Sequence, residues 1–219
     1  MSINRRGRRG LSLAELLIAV FIAGIIMTIG ANGIAYLLQN VTRGSDRAEL
    51  QQQGLVAVSK MSADIESTCV NGISLLNPDG AASPVVLAVV PIDQTNAPDG
   101  YVTWQLQAVT YVYDAGAGTL TRRIFTPANL PPLGGVLQAN APQRIPAAVL
   151  ALMGATHLNG EQLLARNVIR LTIGHGSNDP SLITLPLNLD VVLDKPPTNA
   201  QRDHTTFEIT RAVASRNHV

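Results

Sequence analysis

Glu15 stands directly before a run without charged side chains, Leu16 to Thr42, 27 residues in all. Ahead of it lie Arg5, Arg6, Arg8 and Arg9, followed by Gly10. About 20 apolar residues suffice for a helix to span a bilayer core. A carboxylate just inside such a helix costs a few kcal/mol in lipid, so its partner has to be found. If the chain is cut after Gly10, Leu11 becomes a free amino terminus. Its ammonium can neutralise Glu15 of the same chain or of a neighbour. A buried ion pair of this kind fixes register more than it adds stability. Basic flanks are retained on the cytoplasmic side, which puts the N-terminus inside and the bulk of the chain outside.

Other readings of this segment fit less well. An arginine cluster ahead of 27 uncharged residues is a poor core helix for a soluble protein. A cleaved secretory signal has an apolar region of about 7–15 residues, shorter than this one. A twin-arginine export signal would use Arg8-Arg9 before Leu11. Neither signal has a use for Glu15. The run Arg9-Gly10-Leu11-Ser12-Leu13-Ala14-Glu15-Leu16-Leu17-Ile18 resembles the type III signal of type IV pilins and type II secretion pseudopilins. The resemblance implies cleavage after Gly10 by a prepilin peptidase, N-methylation of Leu11 and an assembly role for Glu15. Two departures are visible: leucine replaces the usual phenylalanine at Leu11, and the helix lacks the proline many pilins carry. Asn32-Gly33 stands near that place and can loosen the helix, since glycine costs about 1 kcal/mol in a helix interior.

These elements divide the composition. The chain has 219 residues, a formal charge of +1, 14% charged side chains and one cysteine, Cys69. Sixteen Lys+Arg less the four leading arginines leaves twelve against fifteen Asp+Glu, so the remainder carries about −3. That balance argues against a general nucleic-acid binder. Low charge argues against a disordered chain. A single cysteine excludes an intrachain disulfide framework. The boundaries expected are a cytoplasmic leader over 1–10, a transmembrane and assembly helix over 11–38, an amphipathic continuation over 39–70 and a β-rich extracytoplasmic domain over 71–219.

Leu50, Gly54, Val58, Met61 and Ile65 follow 4-4-3-4 spacing, one face of a helix that can pack on a sheet. Gly72 and Asn77-Pro78-Asp79-Gly80 end it with turn residues. Val85 to Pro91 is a short apolar strand. Val102, Trp104 and Leu106 start an alternating strand that runs to Tyr113, turns through Asp114–Gly118 and returns over Thr119 to Phe125. Thr126 to Gly160 reads as a long loop with a short helix near Ala147–Met153. Ala165 to Ile173 forms a strand. Ser181 to Asp194 forms another, with Leu185, Leu187, Leu189, Val191 and Leu193 inward. His204 to Ala214 is the last, with Phe207, Ile209 and Val213 inward. A long helix followed by antiparallel strands is an α+β arrangement, and the resemblance implies a type IV pilin-like fold. The element order, the Trp-bearing hairpin and the Arg216-Asn217 ending are similar to J-type minor pseudopilins and W-type minor pilins.

No G-x-S-x-G, H-E-x-x-H or P-loop is present, so the reading is not an enzyme. His157, His175, His204 and His218 are scattered and read as surface or strand-end histidines. Gly174-His175-Gly176-Ser177-Asn178-Asp179-Pro180 is the most polar turn; it has too few carboxylates for a calcium loop, so calcium is a minor alternative and no cofactor or metal is expected. Asp190 and Asp194 read as solvated, and Cys69 as structural. Arg122 and Arg123 point to opposite strand faces, which weakens a DNA patch. The resemblance implies a minor pilin or pseudopilin at the tip complex of a pilus or type II pseudopilus. Its partners would be the prepilin peptidase, other minor and major subunits and the inner membrane, without nucleic acid. The alternative is a signal-anchored or twin-arginine-exported periplasmic enzyme or binding protein.

Overall fold

A computed structural model describes residues 12–93, 103–139, 144–175, 183–196 and 204–214. The chain divides between Ser45 and Asp46 into two units. Helix α1 spans Leu13–Glu66 and is unbroken through Asn32-Gly33.

In the first unit nearly every described side chain of α1 is exposed, including Leu16, Phe21, Met27 and Leu37. The polar groups here close on the helix itself. Thr28 Oγ1 donates to the Gly24 carbonyl at 2.8 Å and Thr42 Oγ1 to the Leu38 carbonyl at 2.7 Å. Hydroxyls satisfied within the helix leave little polar surface for an apolar surrounding to penalise.

In the second unit α1 becomes one-sided. Leu50, Gly54, Ala57, Val58, Met61, Ser62 and Ile65 are buried, so the expected stripe is the packing face. The ordinary i, i+3, i+4 geometry then places Gln51, Gln52, Leu55, Val56 and Ser59 outward, where they are exposed.

The strands are β1 (Ile73–Leu76), β2 (Val85–Val89), β3 (Ile92–Asp93), β4 (Thr103–Trp104), β5 (Ala108–Asp114), β6 (Thr119–Phe125), β7 (Gln162–Arg166), β8 (Val168–Gly174), β9 (Leu187–Lys195) and β10 (Thr205–Val213). A five-stranded sheet has the order β1-β2-β5-β6-β7, and a three-stranded sheet the order β10-β9-β8. All these pairings are antiparallel. β3 and β4 form a separate two-stranded ladder. The result is the expected α+β class, consistent with a type IV pilin-like fold.

Period-two alternation sends the large sheet's side chains into two cores. Val85, Leu87, Val89, Tyr111, Tyr113 and Leu120 join the α1 stripe and the inner face of β8–β10. Val86, Ala88, Ala108, Val112 and Phe125 face the other way, toward Leu133, Leu150 and Met153. β2 is therefore buried at all five positions, which explains why its sequence is a continuous apolar run and does not alternate. Burying five such side chains contributes several kcal/mol, at about 25 cal/mol per Å² of apolar surface.

The second core corrects the expectation for 126–160. That segment carries a 3-10 turn at Pro131–Gly135 and helix α2 at Ala147–Ala155, and it covers one face of the large sheet. Three further differences have local causes. The expected strand over 165–173 is two strands in different sheets, because Asn167 adopts a left-handed backbone (φ 59) and breaks the pleat. The run through Trp104 to Tyr113 is interrupted, and β4 pairs with β3 instead. β1 lies where only turn residues were expected, its register set by Ile73 opposite Val89.

Candidate functional site

The residues expected to carry processing and assembly begin outside the described ones: Gly10 and Leu11 are not among them. Ser12 and Glu15 are. Ser12 is the cap of α1 and Glu15 sits three residues on. The Ser12 backbone N–H donates to Glu15 Oε2 at 2.9 Å, Ser12 Oγ donates to the same oxygen at 3.0 Å, and Glu15 N–H donates to Ser12 Oγ at 3.3 Å. This reciprocal pair is a capping box, two otherwise orphaned backbone donors satisfied at the helix start. The signal was present as Ser12-Leu13-Ala14-Glu15, serine followed three places later by glutamate before an apolar run. In the uncut chain, then, the carboxylate has a partner of its own.

Among the described residues one helix, α1, is long and apolar enough to cross a membrane. The helix starts two residues before Glu15, so the carboxylate lies in its first turn.

In the globular unit the polar side chains are mostly committed to structure. Arg122 Nε lies 2.9 Å from Asp64 Oδ2 and ties β6 to α1. Tyr111 Oη donates to the same Asp64 oxygen. Burial first, and then the Asp64 carboxylate, push the Tyr111 phenol well above its ordinary range. Arg122 is also raised: burial opposes its charge, and the hydrogen bond and charge of Asp64 more than offset that. Arg123 turns to the opposite face, as alternation requires, and is 4% exposed. It donates to the carbonyls of Met153, Gly154 and Thr156 at 3.2, 3.0 and 2.9 Å. Its Nε lies 2.8 Å from Glu161 Oε2. A guanidinium at the carbonyl end of α2 satisfies acceptors that the helix leaves open and opposes the helix dipole.

On the outer face of β8–β10, Asp190 and Asp194 are not solvated as expected. Asp190 pairs with Arg170 at 3.0 Å and accepts from Thr172 and Thr210. Asp194 lies 2.7 Å from His204 Nδ1 and accepts from Thr206. Cross-strand neighbours are what period-two geometry brings together, and the sequence showed the residues without the register. Lys195 bridges Asp46 at 3.0 Å and Glu49 at 2.6 Å, and these hydrogen bonds raise its pKa. His157 and His204 have exposed side chains. Cys69 is buried and free. His218 and most of the 174–180 turn lie outside the described residues. Among the described residues no group of three His, Cys, Asp or Glu side chains is placed to hold a metal ion.

Among the described residues, cavities open on the globular unit. One of about 470 Å³ is lined by Arg122, Ile124, Asn129, Glu161 and Gln162 among others. A second of about 230 Å³ is lined by Ser83, Pro84, Asp114, Arg123 and His157 among others, and Ser83 Oγ there accepts from the Ala115 N–H at 3.3 Å.

Residues 5–31 match the family described as the prokaryotic N-terminal methylation motif. The match covers Arg5, Arg6, Arg8, Arg9, Gly10, Leu11, Glu15 and much of the apolar stretch. A motif of this class is a type IV prepilin-like signal, so the chain carries the mark of a pilin-like precursor, and a structural subunit more than an enzyme. It implies processing by a prepilin peptidase and assembly with other pilins, and with the apolar helix it fits a membrane-anchored protein. No curated protein and no solved structure matches the chain.

Proposed function

We propose that this chain is a minor pilin or pseudopilin. It waits in the inner membrane with residues 1–10 in the cytoplasm and the β-rich domain outside. The prepilin peptidase cuts after Gly10 and methylates the amine of Leu11. The mature chain then joins other subunits at the tip complex of a type IV pilus or a type II secretion pseudopilus. The carrying observation is the methylation motif over residues 5–31 on a chain whose apolar helix continues directly into an α+β domain.

Glu15 has two states in this reading. Before the cut its carboxylate caps α1 through Ser12. After the cut the Leu11 ammonium, four residues from Glu15 in sequence, can compete with Ser12, and a neighbour's ammonium can do the same during assembly. Charge neutralisation in an apolar surrounding is worth more than a cap in water, so the pair favours one axial register between subunits. The J-type and W-type likeness, and with it the tip position, rests on element order and the size of the domain.

Mass spectrometry of the membrane-extracted protein tests the reading. Cells with an active prepilin peptidase should yield a chain starting at Leu11 and heavier by one methylene. A chain that keeps Met1 in such cells overturns the proposal.

A further inference from the structure

The sequence contains three Asn-Gly pairs: Asn32-Gly33, Asn71-Gly72 and Asn159-Gly160. Such a pair is chemically weak because glycine carries no side chain to hinder attack by its amide nitrogen on the asparagine carboxamide. The attack needs that nitrogen free of its hydrogen bond and the segment able to bend. The fold treats the three pairs differently. Gly33 lies inside α1, its amide held in the helical ladder. Gly72 is buried, and its N–H donates to the Cys69 carbonyl at 2.9 Å. A side chain at Gly72 would also collide with Thr68 and the Trp104 ring, so this backbone cannot move without disturbing the core. Asn159 and Gly160 form an exposed turn between α2 and β7. Among the described residues no hydrogen bond holds the Gly160 amide; the turn closes through its neighbour, Glu161 N–H to the Leu158 carbonyl at 3.2 Å. Gly160 has a left-handed φ of 90 and no atom within 4 Å of where a Cβ would stand.

We infer that Asn159 is a site of spontaneous deamidation, selected by the fold from three equivalent sequence signals. The deprotonated Gly160 nitrogen attacks Asn159 Cγ. A C–N bond forms, the bond to the carboxamide nitrogen breaks, and ammonia leaves, giving a succinimide. Solvent water then opens either carbonyl of that ring and yields aspartate or isoaspartate. The balance is an amide and water converted to a carboxylate and ammonium, with no oxidant or cofactor. The place of the product matters. Asn159 and Gly160 line the larger cavity together with Arg122 and Glu161, so deamidation adds a negative charge to that wall. The isoaspartate form also lengthens the backbone just ahead of β7, whose first residue, Gln162, pairs with Arg122. The charge and shape of the cavity therefore change with the age of the chain. This inference rests on the globular unit alone and stands apart from the pilin reading.

Peptide mapping of the full-length, detergent-extracted protein decides it. After incubation in warm, mildly alkaline buffer, the amide-to-acid mass increment should accumulate at Asn159 about tenfold or more faster than at Asn71, which reacts only through local opening. In the chemically unfolded chain Asn71 should approach the Asn159 rate. The aged protein should co-migrate on isoelectric focusing with the Asn159→Asp variant, and Asn159→Gln should suppress the new band. Equal rates at Asn71 and Asn159 in the folded chain overturn the inference. So does a folded chain that stays unmodified at Asn159 while the unfolded chain reacts there.

Discussion

Arg122 and Arg123 are neighbours in β6 yet hold opposite layers of the globular unit. Arg122 reaches Asp64 on α1, and Arg123 reaches the carbonyl end of α2. One dipeptide thus fastens both coverings of the large sheet, because successive side chains on a strand point to opposite faces.

Arg123→Ala should loosen the α2 layer. It leaves the Met153, Gly154 and Thr156 carbonyls without their side-chain donor and the Glu161 carboxylate without its paired cation, and the cost should be about 3 kcal/mol. Denaturant unfolding of the detergent-extracted chain measures this, and limited proteolysis should cut first within 126–160. An unchanged midpoint would mean that the guanidinium does not anchor α2.

Asp64 and Arg122 are each partly exposed, so their pair should be worth less. A double-mutant cycle of Asp64→Ala and Arg122→Ala should give a coupling of about 1 kcal/mol. Coupling indistinguishable from zero would remove the pair as a fastening between α1 and β6.

Gly54 is the point of close approach between α1 and the small sheet. A Cβ there would stand 2.9 Å from Phe207 and 3.2 Å from Leu193. Alanine at this place would gain about 1 kcal/mol of helix propensity and lose much of it to the contact. Gly54→Leu has no such compensation and should destabilise by about 1–3 kcal/mol through overpacking. A Gly54→Leu chain as stable as the parent would show that β10 is free to move off α1.

Alkaline pH should destabilise the globular unit. Tyr111 and Lys195 both have raised pKa values in the folded chain. A raised folded pKa means that the unfolded chain releases its proton first, so the stabilisation is complete below the unfolded value. It is lost as pH climbs from about 10 through the folded values. Tyr111→Phe should flatten part of that decline, and tyrosinate absorbance should show Tyr111 ionising only with unfolding. A decline of the same steepness in Tyr111→Phe would assign the effect elsewhere.

Processing and assembly should separate genetically. Gly10→Ala should block cleavage. Glu15→Gln keeps the hydrogen-bonding shape but removes the charge, so it should insert and be cleaved yet fail to assemble. Because a carboxamide can still accept from Ser12, helix content should be unchanged by circular dichroism. Normal assembly by Glu15→Gln would show that charge pairing at this position is dispensable.

The sequence by itself determined the features that depend on local order. An uncharged run of 27 residues behind four arginines, a glycine and a glutamate define the signal wherever the rest of the chain goes. The stripe Leu50, Gly54, Val58, Met61 and Ile65 was legible because a helix face is a matter of spacing. The capping box is equally local, a serine at Ser12 and a glutamate three places on at Glu15. Tertiary structure decided whatever depends on residues far apart in the chain. It made 126–160 the cover of a second core, since a strand buried on both faces needs an apolar layer on each. It split 165–173 at Asn167, as a single left-handed residue redirects the chain into another sheet. It sent Arg122 and Arg123 to their partners, and it gave Asp190 and Asp194 their neighbours through register. It also separated three identical Asn-Gly signals into two whose glycine amide is hydrogen-bonded and one whose amide is not, because hydrogen bonding is a property of the folded surroundings and not of the dipeptide.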